Sequence, residues 1–318
     1  MKKKSLALFA LFFIFVAAFA NGKKDLSVKK SSDKSFSYDK SGLVIKSPAN
    51  ESDTVQIAVI ATSDLHGHIY SWDYAVDSPL NGSGFAQTDS IVKGIKEKYK
   101  ENLLIDVGDL MQENSSELFN DCDIHPMIQA LNFLNYDAWI LGNHEFNYGL
   151  DFLEKNILGF EGRVISSNIK YADSGKNFVL PYQIYEIQGV RLAVIGCTPT
   201  QVTTWEGSTP EHFQNLNFIS PMDSVKKTIK SIEGQYDVLV GAFHISREGE
   251  FEDEGKGGAF QIAKACPELD LILAGHEHAV YCTEVNGTWV LEPGKFGSHV
   301  ALATLDLKKK NGKWRLLK

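Results

Sequence analysis

The 318-residue sequence lacks the excess of positive charge that is typical of nucleic-acid-binding proteins. It contains 32 Lys and Arg against 40 Asp and Glu, a formal net charge of −8, and ten of its lysines fall within the first 46 residues. The remainder of the chain is therefore strongly acidic. Because nonspecific binding to a duplex depends on Lys and Arg that neutralise phosphates, we expect no nucleic-acid duplex as a partner. A phosphate site in such a chain would need positive charge from another source.

Cysteine is also scarce. The four cysteines are Cys122, Cys197, Cys266 and Cys282, and no C-x-x-C pair is present. This excludes a cysteine-rich structural metal site. In an oxidising compartment the four thiols could pair in any of three connectivities, which the sequence does not rank. Buried or unpaired thiols are the equally acceptable alternative.

Long apolar runs are absent except at the N-terminus. Lys2–Lys4 precede the apolar run Leu6–Ala20, which ends in the small-x-small sequence Ala18–Ala20. This pattern predicts a signal peptide over residues 1–20, and the run is shorter than a bilayer-spanning helix requires. We therefore predict an exported protein, periplasmic or secreted, with no stable membrane span after cleavage. An uncleaved anchor is the alternative.

The rest of the chain divides into a leader and a folded body. Residues 21–52 are rich in Ser and Lys and predict a flexible leader with one short strand at 43–46. From residue 53 onward, short β-branched apolar runs alternate with amphipathic helical patterns, which predicts an α/β protein with a mostly parallel, buried sheet. The predicted strands are Val55–Ala61, Leu103–Val107, Ala138–Leu141, Val164–Ser166, Arg191–Gly196, Val238–Phe243, Leu269–Ala274, Trp289–Leu291 and Val300–Leu307. The predicted helices are Ala86–Tyr99, Ile124–Leu134, Leu150–Leu158, Met222–Ile232 and Gly258–Ala265.

Five of the predicted strands are followed directly by side chains that can bind metal ions. In chain order these segments are Asp64-Leu65-His66, Gly108-Asp109, Gly142-Asn143-His144-Glu145, His244 and Gly275-His276-Glu277-His278. Each segment alone is a weak signal, because Gly-Asp is usually a turn and Asn-His-Glu can begin a helix. The carboxyl ends of strands in an open α/β sheet are where ligands bind, so all five together indicate one functional site.

The types of side chain then indicate the cofactor. Two aspartates, one asparagine amide and several imidazoles, without thiolate, suit two divalent ions such as Zn, Mn, Fe or Co better than Ca²⁺. Two ions about 3.5–4 Å apart can bind a phosphate between them and convert a shared water to hydroxide. They also supply the positive charge that the acidic chain lacks. One carboxylate must then bridge the two ions.

The same series of segments resembles the motifs of the calcineurin-like metallophosphoesterases. Within them, residues 53–308 are similar to the 5'-nucleotidase and 2',3'-cyclic-nucleotide 2'-phosphodiesterase family. The resemblance implies two facing mixed β-sheets flanked by helices, as one catalytic domain over 53–318. It implies an exported enzyme that hydrolyses phosphoric ester bonds, with a small-molecule phosphoester or nucleotide as its partner. We expect a monomer.

The resemblance also implies a role for each site residue. Asp64, His66 and His278 would hold one ion, Asn143, His244 and His276 would hold the other, and Asp109 would bridge the two. Asn143 and His144 would bind the substrate phosphate. A metal-bound hydroxide would attack in line while His144 protonates or stabilises the leaving alkoxide.

The branch of the family is indicated by fewer residues. The 5'-nucleotidase branch typically has Asp where this sequence has Asn147. That residue, the segment 142–151 and Pro293-Gly294-x-x-Gly297 resemble the cyclic-nucleotide phosphodiesterase/3'-nucleotidase branch. A 5'-nucleotidase or a broad-specificity phosphomonoesterase is the alternative. A non-catalytic surface or nucleotide-binding protein would be a different class, but such a protein should have lost a ligand, and none is missing.

Relatives in this family usually continue into a C-terminal domain that stacks the nucleotide base. This sequence reaches its last residue, Lys318, without such a domain. Either a second half is missing from the sequence, or the protein is a stand-alone catalytic domain, for which we expect looser specificity. We expect structural roles for the four remaining histidines, His68, His125, His212 and His299.

Overall fold

Strands and helices alternate along the chain as the sequence pattern predicts. The computed structural model describes residues 36–74, 76–250 and 257–317, so the predicted signal peptide and residues 21–35 of the leader lie outside the described residues. The strands are β1 (Val44–Ser47), β2 (Thr54–Thr62), β3 (Trp72–Asp73), β4 (Ser78–Pro79), β5 (Asn102–Asp106), β6 (Ala138–Ile140), β7 (Arg163–Ile165), β8 (Ile169–Tyr171), β9 (Tyr182–Ile187), β10 (Val190–Cys197), β11 (Leu216–Phe218), β12 (Val238–Phe243), β13 (Leu271–Ala274), β14 (Val280–Val285), β15 (Thr288–Pro293), β16 (Ala301–Lys310) and β17 (Lys313–Leu316). The α-helices are α1 (Phe85–Lys98), α2 (Pro126–Phe133), α3 (Leu150–Gly159), α4 (Val202–Trp205), α5 (Pro221–Ser231) and α6 (Ala259–Ala265). Across the described part of the chain, no helix has both the length and the apolar character to cross a bilayer.

Most of the strands belong to two large mixed sheets. One has the order β1-β9-β10-β12-β13-β15-β14 and the other β17-β16-β2-β5-β6-β7. In each sheet the central strands run parallel, whereas β9, β14 and β16 join their neighbours β10, β15 and β2 antiparallel. The predicted α/β class with two mixed sheets is therefore confirmed.

The two sheets face each other across a shared apolar core. Val59 and Ile105 of one sheet pack in the same buried cluster as Val240 of the other. On its outer face the larger sheet is covered by α5 and α6, through Val225 and Ile262. Each fully buried aliphatic side chain stabilises the fold by roughly 1.5–3 kcal/mol, so this core determines which strand ends lie together.

The strands that the sequence pattern missed are partly exposed. In β9 buried and half-exposed side chains alternate, and in β14 half-exposed and exposed ones alternate. Continuous apolar runs identify buried parallel strands, but these alternating strands pair antiparallel and keep one face in water. The short strand predicted at 43–46 is present as β1, which pairs parallel with β9.

All four cysteines are free thiols. Cys197 and Cys266 are buried, whereas Cys122 and Cys282 are exposed. Burial raises the pKa of the Cys197 thiol to about 12, which makes it a poor nucleophile. Of the two alternatives that the sequence left open, the structure contains the unpaired thiols.

The two sheets are in close contact at Gly196 in β10. A Cβ atom at this position would lie 2.5 Å from the carbonyl oxygen of Ile165, the last residue of β7 in the other sheet. The carbonyl oxygen of Gly196 also accepts a 2.8 Å hydrogen bond from the backbone N–H of Ser167. The close contact between the sheets therefore depends on the absence of a side chain here.

We predict that Gly196→Ala and Gly94→Ala have opposite effects on the free energy of unfolding. Gly196→Ala should reduce it by about 1–3 kcal/mol, because the backbone of Ile165 must move. Gly94 lies in the exposed part of α1, where an added methyl group would meet open space, so its replacement should increase the free energy of unfolding by about 0.5–1 kcal/mol. Urea unfolding measures both values. Equal stability of the two variants would contradict the assignment of this contact.

Candidate metal centre

The carboxyl ends of strands from both sheets meet at one place. Asp64 and His66 follow β2, Asp109 follows β5, and Asn143 follows β6, all in the smaller sheet, whereas His244 follows β12 and His276 and His278 follow β13 in the larger one. His244 Nδ1 joins the two sheets by a 2.7 Å hydrogen bond to the carbonyl oxygen of Val107. The site therefore lies between two sheets, and not at the edge of a single sheet.

Asp64, His66 and His278 form the first of two groups that could hold a metal ion. Their potential ligand atoms all lie within 4.8 Å of one another. His278 Nε2 is 3.1 Å from His66 Nε2 and 3.4 Å from Asp64 Oδ1. Two imidazole nitrogens and a carboxylate oxygen that point to a common centre are a suitable ligand set for a divalent first-row ion.

Asp109, His244 and His276 form the second group, again with their ligand atoms within 4.8 Å. His244 Nε2 is 2.9 Å from Asp109 Oδ2 and 3.9 Å from Asp64 Oδ1, so the two groups are adjacent. His276 Nε2 lies 3.2 Å from a carboxylate oxygen of Glu250. Every ligand predicted from the sequence, except Asn143, falls into one of the two groups.

Two orphaned atoms test whether these residues fit a metal ion. The buried side-chain oxygen of Asn143 has no hydrogen-bond partner, and neither does His244 Nε2, whose short contact with Asp109 lacks hydrogen-bond geometry. Buried polar atoms without partners are costly, and a bound ion is one arrangement that removes the cost. A divalent ion would satisfy both.

The Nδ1 atoms of His66 and His244 also support a fit to a metal ion. His66 Nδ1 donates to the amide oxygen of Gln112 at 2.9 Å, and His244 Nδ1 donates to the carbonyl oxygen of Val107. With Nδ1–H engaged in this way, each ring directs the lone pair of Nε2 inward, which is the usual arrangement of a metal-binding histidine. Gln112 was not predicted, although its place three residues after Asp109 is a possible signal.

The buried charges of the site are strongly coupled. Burial alone would raise the pKa of Asp109, but the neighbouring charge of His244 holds that pKa well below its usual range. Burial alone would lower the pKa of His244, but Asp109 and Asp64 raise it to about 10. A proton on His244 thus balances the carboxylates, and a bound cation would displace it, so metal binding should release protons.

Five of the predicted ligands have left-handed backbone conformations. Their φ angles are 53° at Asp64, 45° at His66, 52° at Asp109, 84° at His276 and 59° at His278. Such conformations cost of order 1–3 kcal/mol each and persist where the surroundings impose them. Backbone hydrogen bonds do so here: the N–H of Asp64 donates to the carbonyl oxygen of Gly108, and that of His66 to the carbonyl oxygen of Asp109.

Glycines precede the ligands because the site leaves no room for a side chain. A Cβ atom at Gly142 would lie 2.3 Å from Asp109 Oδ1, and one at Gly275 would lie 2.1 Å from Ser63 Oγ. Real Cβ atoms essentially never come this close to another heavy atom. The Gly-Asn and Gly-His pairs of the motifs therefore bring the backbone directly against the ligand atoms.

Glu145 joins the loops that follow β5 and β6. Its buried carboxylate accepts hydrogen bonds from the backbone N–H groups of Asp109 at 2.9 Å, Leu110 at 2.7 Å and Gly142 at 2.6 Å. Burial and the neighbouring charge of Asp109 raise the pKa of Glu145 to about 8. Glu145 is thus a positioning residue for the loops that carry Asp109 and Asn143.

His144 lies beside the two groups but belongs to neither. Its Nδ1 donates to the side-chain oxygen of Asn147 at 2.7 Å, and its backbone N–H donates to Asp109 Oδ1 at 2.8 Å. Its ring is edge-on to that of His66, with the centroids 5.4 Å apart. The half-buried imidazole is therefore held in one orientation through its Nδ1.

The remaining histidines have structural surroundings. His68 is buried, with its Nδ1 hydrogen-bonded to the carbonyl oxygen of His66 and its ring stacked on Phe296 at 3.9 Å. His125 caps α2 with its side chain, and His299 is exposed beside Ser298.

Phe296 is a site residue that the sequence analysis missed. It has a φ of 59°, rare for a bulky side chain, and its N–H donates to the carbonyl oxygen of Asp64 at 2.8 Å. Its ring packs edge-on against His66, with the centroids 5.8 Å apart. The neighbouring glycines of the 293–297 segment are the only sequence signal for this turn.

Comparison with known sequences gives a family and several relatives. The model of the calcineurin-like phosphoesterase family matches residues 57–280. The trifunctional nucleotide phosphoesterase protein YfkN of Bacillus subtilis is 30% identical over an alignment of 297 residues, and the match covers 82% of this chain and 20% of that protein. The 2',3'-cyclic-nucleotide 2'-phosphodiesterase/3'-nucleotidase of Salmonella typhimurium is 27% identical over an alignment of 294 residues, and the match covers 83% of this chain and 45% of that protein. The chain thus spans less than half the length of these relatives.

Solved structures agree with the fold. The crystal structure of the calcineurin-like phosphoesterase YfkN from Bacillus subtilis matches with a TM-score of 0.75 and 28% identity, over 83% of this chain and 89% of that one. A putative 5'-nucleotidase from Staphylococcus aureus matches with a TM-score of 0.73 and 23% identity, over 83% of this chain and 53% of that one. The fold, the match of the family model and the resemblance seen in the motifs agree: the chain belongs to the calcineurin-like phosphoesterase family.

Proposed function

We propose that the protein is a metal-dependent hydrolase of nucleotide phosphoesters, of the 2',3'-cyclic-nucleotide phosphodiesterase/3'-nucleotidase type. The observation that carries this proposal is the pair of adjacent ligand groups with His144 beside them. The nucleotide substrate class is supported by the names of the Bacillus subtilis and Salmonella typhimurium relatives. Asn147 in place of Asp supports the 3'-nucleotidase branch.

The proposed cofactor is a pair of divalent ions, Zn, Mn, Fe or Co. Asp64, His66 and His278 would hold one, Asn143, His244 and His276 the other, and Asp109 would bridge them. Bound there, two such ions polarise a phosphoryl oxygen and activate a water molecule. The unpartnered oxygen of Asn143 and the contact between Asp109 and His244 support these assignments.

The protein's own groups would position and protonate the substrate. Asn143 and His144 are proposed to bind a phosphate oxygen. With its Nδ1–H held by Asn147, His144 in its imidazolium form would give the proton on Nε2 to the leaving alkoxide and become a neutral imidazole. Because the backbone N–H of His144 donates to Asp109, the proton donor and the proposed bridge are held in one arrangement.

Three alternatives remain as outcomes of the tests. A 5'-nucleotidase or a broad phosphomonoesterase would use the same centre on different esters. A non-catalytic binding protein fits less well, since it has no need for two complete ligand groups. Export is a further proposal, which rests on the sequence of residues 1–20.

We predict that purified protein with Mn²⁺ hydrolyses 2',3'-cyclic AMP and 3'-AMP faster than 5'-AMP. Bis-p-nitrophenyl phosphate should also react, because p-nitrophenolate leaves without a proton. The measurement is kcat/KM for the four esters at one Mn²⁺ concentration, with metal content determined on the same sample. A preference for 5'-AMP would favour the 5'-nucleotidase alternative. Protein that binds metal but hydrolyses none of the four esters would contradict the proposal that it is an enzyme.

We predict that Asp109→Asn reduces activity more than His278→Ala does. The first change removes a full negative charge from the one group proposed to be shared by two dications, whereas the second removes a single terminal ligand. Metal stoichiometry and kcat should be measured for both variants. If Asp109→Asn keeps two bound ions and near-normal turnover, Asp109 is not the bridge.

We predict that His144→Ala keeps its metal content while kcat for 3'-AMP falls by about 10²–10⁴, the usual contribution of one positioned proton donor. The fall should be smaller for p-nitrophenyl phosphate, whose leaving group needs no proton. His299→Ala, at an exposed histidine, is the matched control. Loss of metal from His144→Ala would show that His144 is a ligand.

A further inference from the structure

Trp205 lies against the second ligand group. It is the last residue of α4, and its indole stacks on the imidazole of His276, with the ring centroids 5.2 Å apart and the planes 19° apart. His276 in turn packs edge-on against His244, also at 5.2 Å. One imidazole ring therefore separates the indole from the centre of the site.

The indole remains accessible despite this contact. Trp205 is 37% exposed, whereas Trp139 and Trp314 are buried in the core. The neighbouring groups on this side of the centre are polar: the imidazole of His276 and the carboxylate of Glu250. Trp205 thus exposes part of a large aromatic side chain beside His276, a proposed metal ligand.

We propose that Trp205 is a specificity residue that stacks on the aromatic part of the substrate, a nucleobase or an aryl ring. The inference rests on the proposed function, because it assumes that the phosphate is bound at the two ligand groups. In a nucleotide one sugar lies between the phosphate and the base. In this site one imidazole, that of His276, lies between Trp205 and His244. Every base has a π face, so stacking favours aromatic esters without selecting among bases.

A positioning role is the competing explanation. If Trp205 only holds the His276 ring in place, its loss should weaken metal binding and affect all esters equally. If it contacts the substrate, its loss should leave the metal in place and affect only esters that carry an aromatic group. These two roles therefore separate in a comparison of substrates.

The experiment compares Trp205→Ala with the unmodified chain on 3'-AMP and glycerol 2-phosphate, both of which release a secondary alkoxide. For 3'-AMP we expect KM to rise about ten-fold with little change in kcat, and for glycerol 2-phosphate we expect no change. The dissociation constant of adenosine, measured by calorimetry, should rise by a similar factor. Trp205→Phe should retain most of the affinity, and metal content should be unchanged in both variants.

Trp289→Ala is the matched control. Trp289 is 48% exposed but is the second residue of β15. It pairs with Leu271, the first residue of β13, at the end of that strand away from the site. It should therefore behave like the unmodified chain.

An equal loss on both esters, accompanied by lower metal content, would overturn the proposal in favour of a positioning role. Unchanged adenosine binding in Trp205→Ala would also overturn it. If the unmodified chain hydrolyses neither ester, the proposed function fails. Adenosine binding then decides the role of Trp205 by itself, because binding that is lost in Trp205→Ala still supports the stacking contact.

Discussion

The arrangement of the site depends on two buried carboxylates, Asp64 and Asp109, placed close enough to repel each other. In a low-dielectric interior such a pair needs compensating positive charge. The protein's own supply is the imidazole of His244, whose pKa the two carboxylates raise to about 10. A pair of divalent ions would meet the same need more completely, so the charge distribution of these residues suits a divalent cation site.

The backbone around these carboxylates is strained, and the strained conformations hold the ligand side chains close together. Left-handed conformations at five ligand residues and glycines without room for a Cβ atom bring side chains from separate loops to one point. This arrangement reduces stability locally, and the apolar core between the two sheets offsets the loss. Glu145 makes the loops after β5 and β6 more rigid, because its carboxylate accepts hydrogen bonds from three of their backbone N–H groups.

The proposed proton donor and the exposed aromatic ring lie beside different ligands of this centre. His144, fixed by Asn147, stands next to His66 of the first group, whereas Trp205 lies on His276 of the second. A phosphate held between the groups would therefore have a proton donor beside one ligand and an aromatic ring beside another. Separate substitutions would then change the two functions, which are the selection of a substrate by stacking and the protonation of its leaving group.

The sequence by itself determined the chemistry and much of the local structure. Runs such as Val238–Phe243 must be buried, and each ligand type is encoded directly after a strand, so the α/β class, the metal site and the family were all predictable. Only the tertiary structure decided that the ligands come from two sheets and that Phe296 and Trp205 lie against them. The physical reason is range: residue type and hydrophobic period act over a few positions, whereas His66 and His278 meet across 212 residues, through the packing of the two sheets.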